Sequence, residues 1–158
     1  MISVKKYKKV KITLLILIIF FIGYIREATF LVINSVLNGY SFPYNSAYIT
    51  PPDFLYQLNS TDIIIIKWLM TLFFSIVFTL LCLFLINTFY KNKNYNKMVI
   101  LFYVIFILVA FVISALGILI NQFEALYLVS RFLIGILHSP LVPLAIFTLF
   151  YLKNKTKQ

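Results

Sequence analysis

Four long apolar runs, separated by short polar segments, dominate the chain. They cover about residues 12–36, 63–90, 98–120 and 122–152. A helix needs about 20 apolar residues to cross the ~30 Å hydrocarbon core of a bilayer, and each run reaches that length. The pattern predicts an all-α integral membrane bundle of four transmembrane helices that form one domain, with an outer loop at 38–61.

The composition agrees with a membrane location. Of the 158 residues, 63% are hydrophobic and 11% are charged, and the mean hydropathy is +1.01. A soluble domain is about half apolar and about a quarter charged. This balance excludes a water-soluble fold and a disordered chain.

The net charge of +10 comes mainly from lysines that occupy every second connection between the runs. Three segments hold 11 of the 14 basic residues: Lys5, Lys6, Lys8, Lys9 and Lys11; Lys91, Lys93 and Lys97; Lys153, Lys155 and Lys157. The four acids fall on the opposite side: Glu27, Asp53, Asp62 and Glu124. Basic segments resist translocation, so this partition predicts that both termini are cytoplasmic. It also favours membrane lipids over nucleic acid as the partners of the lysines.

Small residues in the second and third runs recur at helical spacing, which is typical of close helix packing in lipid. One stripe lies in each run: Thr71, Ser75, Thr79 and Cys82; Ala110, Ser114 and Gly117. Because Cys82 is the one cysteine, the chain cannot form an internal disulfide or a metal–thiolate cluster. Zinc-ligand, paired-carboxylate and nucleophile-elbow patterns are also missing from the sequence. We therefore assign no catalytic residue, metal or cofactor.

The fourth run contains signals for a helix start and for a break. Asn121 is followed three residues later by Glu124, which has the form of a capping box with Asn121 as the N-cap. Pro140 and Pro143 each remove a backbone hydrogen-bond donor, so we expect a kink in this run.

Five ionisable residues form a candidate polar cluster in the outer third of the bundle: Arg26, Glu27, Glu124, Arg131 and His138. The last three recur every seven residues and should project from nearly one helix face. Ionisable groups in a membrane usually face the interior and pair with one another. We therefore expect both arginines to turn inward, near the two glutamates and the histidine. The alternative is that they anchor helix ends and extend their charges to the interface.

A cysteine, a histidine and arginines are also the residue types of the exosortase active site. The match fails, because Cys82 lacks the Cys-Ser-Gly context and His138 is followed by Ser139 and Pro140 in place of an aspartate. Exosortases are also longer and have more spans. We therefore expect that the chain is not an enzyme.

The chain does resemble the small exosortase-associated membrane proteins of Gram-negative bacteria. The segments that carry the resemblance are Ile25-Arg26-Glu27 with Phe30 and Asn34, Lys67-Trp68-Leu69, Ser130-Arg131-Phe132-Leu133-Ile134-Gly135 and His138-Ser139-Pro140-Leu141. The exosortase X-associated type is nearest and the exosortase F-associated type is next. The resemblance implies a multi-pass accessory protein of the bacterial inner membrane, associated with a larger multispanning exosortase. His138 stands where glutamine would be expected.

Two functional hypotheses remain open after this comparison. One is a non-enzymatic accessory or scaffold subunit of an exosortase-type protein-sorting or surface-assembly system. The other is a small four-span transporter or a translocase of lipid-linked intermediates. Transport would need polar residues through the whole bundle, whereas the cytoplasmic halves of the runs are nearly all Ile, Leu, Phe and Val. The outer loop from Tyr40 to Ser60 holds prolines and aromatic residues, and it either docks on a partner or only connects two spans.

Overall fold

The computed structural model of the chain is all-helical, with no strand in the part that it describes. That part is the backbone of residues 2–39 and 50–156 and the side chains of residues 10–39, 50–122 and 125–156. Six helices follow in order: α1 (Ile2–Leu37), α2 (Asp53–Tyr56), α3 (Ser60–Phe89), α4 (Lys93–Leu119), α5 (Phe123–Leu137) and α6 (Leu141–Lys155). Residues 40–49 of the predicted outer loop, and Lys157, lie outside the described residues.

Three helical segments are long and apolar enough to cross a membrane: Val10–Leu37, Ser60–Phe89 and Lys93–Leu119. α5 and α6 pass the same test together but are bent by 58°, so there are up to four candidate spans if this pair is one span. The predicted all-α chain with several membrane-length helices is confirmed at this level. α4 begins at Lys93, earlier than the apolar run, because polar residues at a membrane surface can continue a helix.

The chain packs as two compact units, and their boundaries fall inside α1 and α3. One unit contains Phe20–Phe74, and the other contains Met1–Ile19 and Ser75–Gln158. We call them the smaller unit and the larger unit.

In the smaller unit, the described part of the predicted outer loop folds onto α1. Leu55 of α2 is 5% exposed and packs against Val32. Four partly buried side chains surround this contact: Leu31, Val36, Leu58 and Ile66. Pro51 is also fully buried. Residues 51–58 therefore form a packed cover over this part of α1, including a helical turn that the loop prediction did not contain.

In the larger unit, α3 and α4 are joined by a tight reversal. Lys91 adopts a left-handed conformation with φ 50°, and the Asn92 side chain caps α4 by accepting the Asn94 N–H at 2.9 Å. Past the turn, Asn96 Nδ2 donates to Asn87 Oδ1 at 2.9 Å. This contact across nine residues brings the start of α4 back alongside the end of α3.

The connection from α4 to α5 differs from the predicted capping box. Asn121 has φ 54°, its N–H bonds the Ile118 carbonyl, and the Gln122 N–H bonds the Gly117 carbonyl at 3.0 Å. This pair of bonds around a left-handed residue is a Schellman motif, so Asn121 ends α4. The N-cap of α5 is Gln122, without a side-chain capping bond. Asparagine suits both roles, because it is a good N-cap and also tolerates positive φ.

The predicted break in the fourth run is confirmed. α5 ends at Leu137 and α6 begins at Leu141. Pro140 precedes α6 with φ −56°, and Pro143 lies in the first turn, where a helix N–H needs no intrahelical acceptor. The Ser139 hydroxyl accepts the Leu141 N–H at 3.2 Å. Both prolines thus fit the start of a new helix and not the middle of one.

α5 and α6 run back along α4. Ser130 of α5 donates its hydroxyl to the Ala110 carbonyl at 2.9 Å, and Phe150 of α6 stacks on Tyr95 with ring centres 4.2 Å apart. These two contacts lie 15 residues apart on α4, about 22 Å along its axis. A stripe of α4 that includes this length and extends to Gly117 is buried: Tyr95, Val99, Tyr103, Ala110, Ser114 and Gly117. The predicted packing role of the small-residue stripe in the third run is confirmed.

Candidate functional site

His138 lies at the break between α5 and α6 and contacts α3. Its Nε2 is 2.7 Å from the hydroxyl oxygen of Ser75. The imidazole also stacks on Phe78, with ring centres 6.0 Å apart and planes 11° apart. His138 is 1% exposed and Ser75 is 3% exposed. The pair therefore joins α3 to the break deep inside the larger unit.

Local sequence explains why these groups meet. Ser75 belongs to the small-residue stripe of α3, so its short side chain lets a neighbouring backbone approach. Phe78 follows three residues later and lies on the same side of the helix. His138 is the C-cap of α5, where its N–H still bonds the Ile134 carbonyl at 3.0 Å. The prolines that follow end the helix at the level of this contact.

A serine hydroxyl beside an imidazole is also the arrangement that activates a serine nucleophile. Here both side chains are buried by the surrounding residues, so neither is accessible from outside the larger unit. A buried polar group that lacks a hydrogen bond is costly, so the contact satisfies two groups at once. The geometry therefore favours a structural hydrogen bond between α3 and the break.

Arg26 and Glu27 form an ion pair in the smaller unit. Arg26 Nη1 is 2.8 Å from Glu27 Oε2, and the side chains are 18% and 61% exposed. The guanidinium also lies 4.9 Å from the ring centre of Phe30, and Phe30 contacts Phe74 with ring centres 6.1 Å apart. The contact agrees with the expected proximity of Arg26 to a glutamate. Adjacent helix residues point about 100° apart, but these long side chains reach each other around the helix.

The two described side chains of the predicted seven-residue stripe on the fourth run lie in different environments. Arg131 is exposed, whereas His138 is buried. Seven residues correspond to about 10 Å along a helix, and at the level of His138 the neighbours are Ser75 and Phe78. Glu124 belongs to α5, but its side chain lies outside the described residues. A cluster that joins Arg26 and Glu27 to these residues stays a prediction.

The remaining members of the α3 stripe bond within their own helix or are buried. The Thr71 hydroxyl donates to the Lys67 carbonyl at 2.8 Å, and the Thr79 hydroxyl donates to the Ser75 carbonyl at 2.7 Å. Cys82 has no exposed surface. Among the described side chains, no group of three or more His, Cys, Asp or Glu could hold a metal ion.

Sequence reasoning missed an aromatic cluster at the lysine-rich end of the larger unit. It joins the end of α3, the start of α4 and the end of α6, and its members are Phe89, Tyr90, Tyr95, Phe147, Phe150 and Tyr151. Burial raises the pKa of Tyr90 to about 12, and the neighbouring Tyr95 and Tyr151 add to this shift. Aromatic residues are typical of membrane interfaces, and that rule could have marked these positions.

Comparison with known proteins adds no assignment. No family model, no curated protein and no solved structure matches the chain.

Proposed function

We propose that the chain is a non-enzymatic accessory or scaffold subunit of an exosortase-type protein-sorting or surface-assembly system. In this proposal it is a multi-pass protein of the bacterial inner membrane and binds a larger multispanning protein, an exosortase. The observation that carries the proposal is the Arg26–Glu27 ion pair on a membrane-length helix.

The environment of this pair favours a protein partner. Both residues lie inside Val10–Leu37, which is long and apolar enough to span a membrane. Ionisable groups are costly within the hydrocarbon region and normally face protein or a water-filled cavity. Glu27 accepts a hydrogen bond from Arg26 and still has 61% of its side chain exposed. A polar group on a neighbouring membrane protein would cover that carboxylate at a lower free-energy cost than lipid.

The segment of the resemblance that begins at Ser130 also presents exposed side chains. Arg131 is exposed, and Phe132 is 67% exposed. Ser130, immediately before them, is buried and bonds α4. The arginine–phenylalanine pair is thus available for a contact outside the chain, while the adjacent serine holds the helix in place.

The proposed topology is four spans with both termini in the cytoplasm. It is supported by the way α5 and α6 together follow α4 from Ala110 to Tyr95. This path ends beside the first turn of α4, so Lys153 and Lys155 lie at the same end as Lys93. A single broken span has that geometry, and the positive-inside rule then assigns this end to the cytoplasm.

Site-specific photo-crosslinking in native membranes tests the partner. A photoreactive amino acid replaces Tyr24, which is 61% exposed and lies one helical turn from Glu27. We expect one discrete adduct with a larger multispanning protein, identified by mass spectrometry as an exosortase. Glu27→Gln should reduce its yield about fivefold, since a polar contact between membrane helices is worth ~1 kcal/mol.

A matched position distinguishes a specific contact from random collision. Phe111 of α4 is 67% exposed, and the same photoreactive residue there should not give the Tyr24 adduct. Equal adducts from both positions, unaffected by Glu27→Gln, would count against the proposed interface. Isolation of the chain from native membranes as a lone monomer under mild conditions would contradict the accessory role itself.

A further inference from the structure

An aromatic clamp fixes the last turn of α6 against the first turn of α4. The Tyr95 hydroxyl is hydrogen-bonded to Asn154 Oδ1 at 2.8 Å, and the Tyr95 ring stacks on Phe150 at 4.2 Å with planes 8° apart. Tyr90 packs edge-on against Tyr95 at 5.4 Å and donates its hydroxyl to the Phe147 carbonyl at 3.3 Å. Residues almost 60 positions apart are therefore held at a defined separation.

This clamp brings together lysines from two distant segments. Four exposed lysines lie within two residues of a partner in the Tyr95–Asn154 hydrogen bond: Lys93, Lys97, Lys153 and Lys155. We call these four residues the α4–α6 lysine cluster. The Lys153 ammonium lies 6.0 Å from the centre of the Tyr95 ring.

No carboxylate of the larger unit neutralises this cluster within the described side chains. Residues 75–158 contain one acid, Glu124, which precedes most of α5 and follows the opposite end of α4. Lys93 begins a membrane-length helix, and Lys153 and Lys155 lie in the last turn of α6. The ammonium groups are therefore expected at the depth of lipid headgroups, where long lysine side chains reach the polar surface.

We propose that the α4–α6 lysine cluster is a binding site for the phosphodiester group of an anionic phospholipid. Charge complementarity carries the proposal, because four cations adjoin one fixed contact. Polybasic clusters beside membrane helices attract anionic lipids in this way. A zwitterionic headgroup brings its own cation and is attracted less. The clamp distinguishes the site from scattered surface lysines, because it holds the lysine pair of α4 beside the lysine pair of α6, which is distant in sequence.

Lipid titration of the purified full-length chain, followed by native mass spectrometry, tests the site. The probes are phosphatidylglycerol and phosphatidylcholine with the same acyl chains. We expect binding of phosphatidylglycerol to be favoured about tenfold, the order of effect expected from a few lysines near a phosphate. Replacement of all four lysines of the cluster by glutamine should remove most of this preference.

The matched control is a variant that loses the same number of positive charges from the N-terminal segment. Glutamine at Lys5, Lys6, Lys8 and Lys9 also lowers the net charge by four and should leave the preference nearly intact. Asn154→Ala keeps all 14 basic residues but removes one partner of the clamp, so it should weaken phosphatidylglycerol binding. Equal losses in both quadruple variants, or no effect of Asn154→Ala, would overturn the proposal in favour of delocalised charge.

A measurement on the unaltered chain completes the test. Phosphatidylglycerol should protect the four lysines of the cluster from acetylation by a water-soluble reagent, and phosphatidylcholine should not. Inorganic phosphate at the same concentration should protect less, because it lacks the acyl chains that hold a lipid at the surface. Equal protection by inorganic phosphate would overturn the assignment to a lipid, and absence of any protection would overturn the site.

Discussion

At the residue scale, the sequence indicated which side chains are unusual but not which of them meet. Ser75 was assigned to a packing stripe and His138 to an outer cluster, and the structure joins the two across 63 positions. Helical periodicity reports the face of a residue on its own helix and nothing about the helix opposite. The same limit explains why the contact between Ser130 and Ala110 was not foreseen.

Ser75→Ala should destabilise the chain, because it removes the hydroxyl that contacts His138 Nε2. Hydrogen bonds between membrane helices contribute ~1 kcal/mol, and we expect a loss of that order. Ser35→Ala is the matched control, since Ser35 is 2% exposed and its hydroxyl donates within its own helix, to the Val32 carbonyl. Unfolding of the purified protein in mixed detergent micelles measures both. Equal losses of stability in the two variants would mean that the Ser75–His138 hydrogen bond contributes no more than a hydrogen bond within one helix.

Tyr90 should make stability depend on alkaline pH. Its pKa is raised to about 12 by burial first and by Tyr95 and Tyr151 second, so the fold favours the neutral phenol. This stabilisation is fully present below the unfolded pKa of about 10 and is lost as the pH rises through about 12. The thermal unfolding temperature of Tyr90→Phe should therefore fall less steeply than that of the unaltered chain as the pH rises across this window. Tyr56→Phe, at an exposed position outside the spans, is the control, and identical slopes for all three proteins would refute the effect.

At the element scale, hydropathy predicted the membrane helices and the prolines predicted the break. These signals are local, because they depend on run length and on missing N–H groups. The role of Asn121 could not be read in the same way, since asparagine is favourable both before a helix and after one. The short helix α2 was missed because its stability comes from Leu55 packing on Val32, which is a contact between distant residues.

Substitution at Asn121 distinguishes the two capping roles. A left-handed residue at the end of α4 should prefer glycine, so Asn121→Gly should keep or raise stability. Asn121→Ser should lower it by about 1 kcal/mol, because non-glycine residues pay a steric cost at positive φ. An N-cap would show the opposite trend, since serine caps as well as asparagine and glycine caps less well. Thermal unfolding of the two variants beside the unaltered chain decides between them.

At the scale of the whole molecule, the polar residues divide between internal packing and exposure. Ser75, Ser130 and His138 are buried and hold helices together in the larger unit. Glu27 and Arg131 are exposed on helices that are apolar over most of their length. The buried polar groups make contacts within the chain, whereas the exposed ones are accessible to another membrane protein. This division is the physical basis for expecting an accessory role.

The topology can be tested by cysteine labelling from outside intact cells, in a Cys82→Ala background. The three positions are exposed residues in the predicted outer loop, at the start of α4 and after α6: Gln57, Asn94 and Thr156. Four spans with cytoplasmic termini predict that a membrane-impermeant thiol reagent modifies Gln57→Cys and spares the other two. If α5 and α6 instead form a re-entrant pair, Thr156→Cys should label with Gln57→Cys, because three spans place the C-terminus outside. Labelling of Asn94→Cys would contradict the orientation, since the lysine-rich turn beside it resists translocation. Permeabilised cells supply the control that each cysteine is reactive.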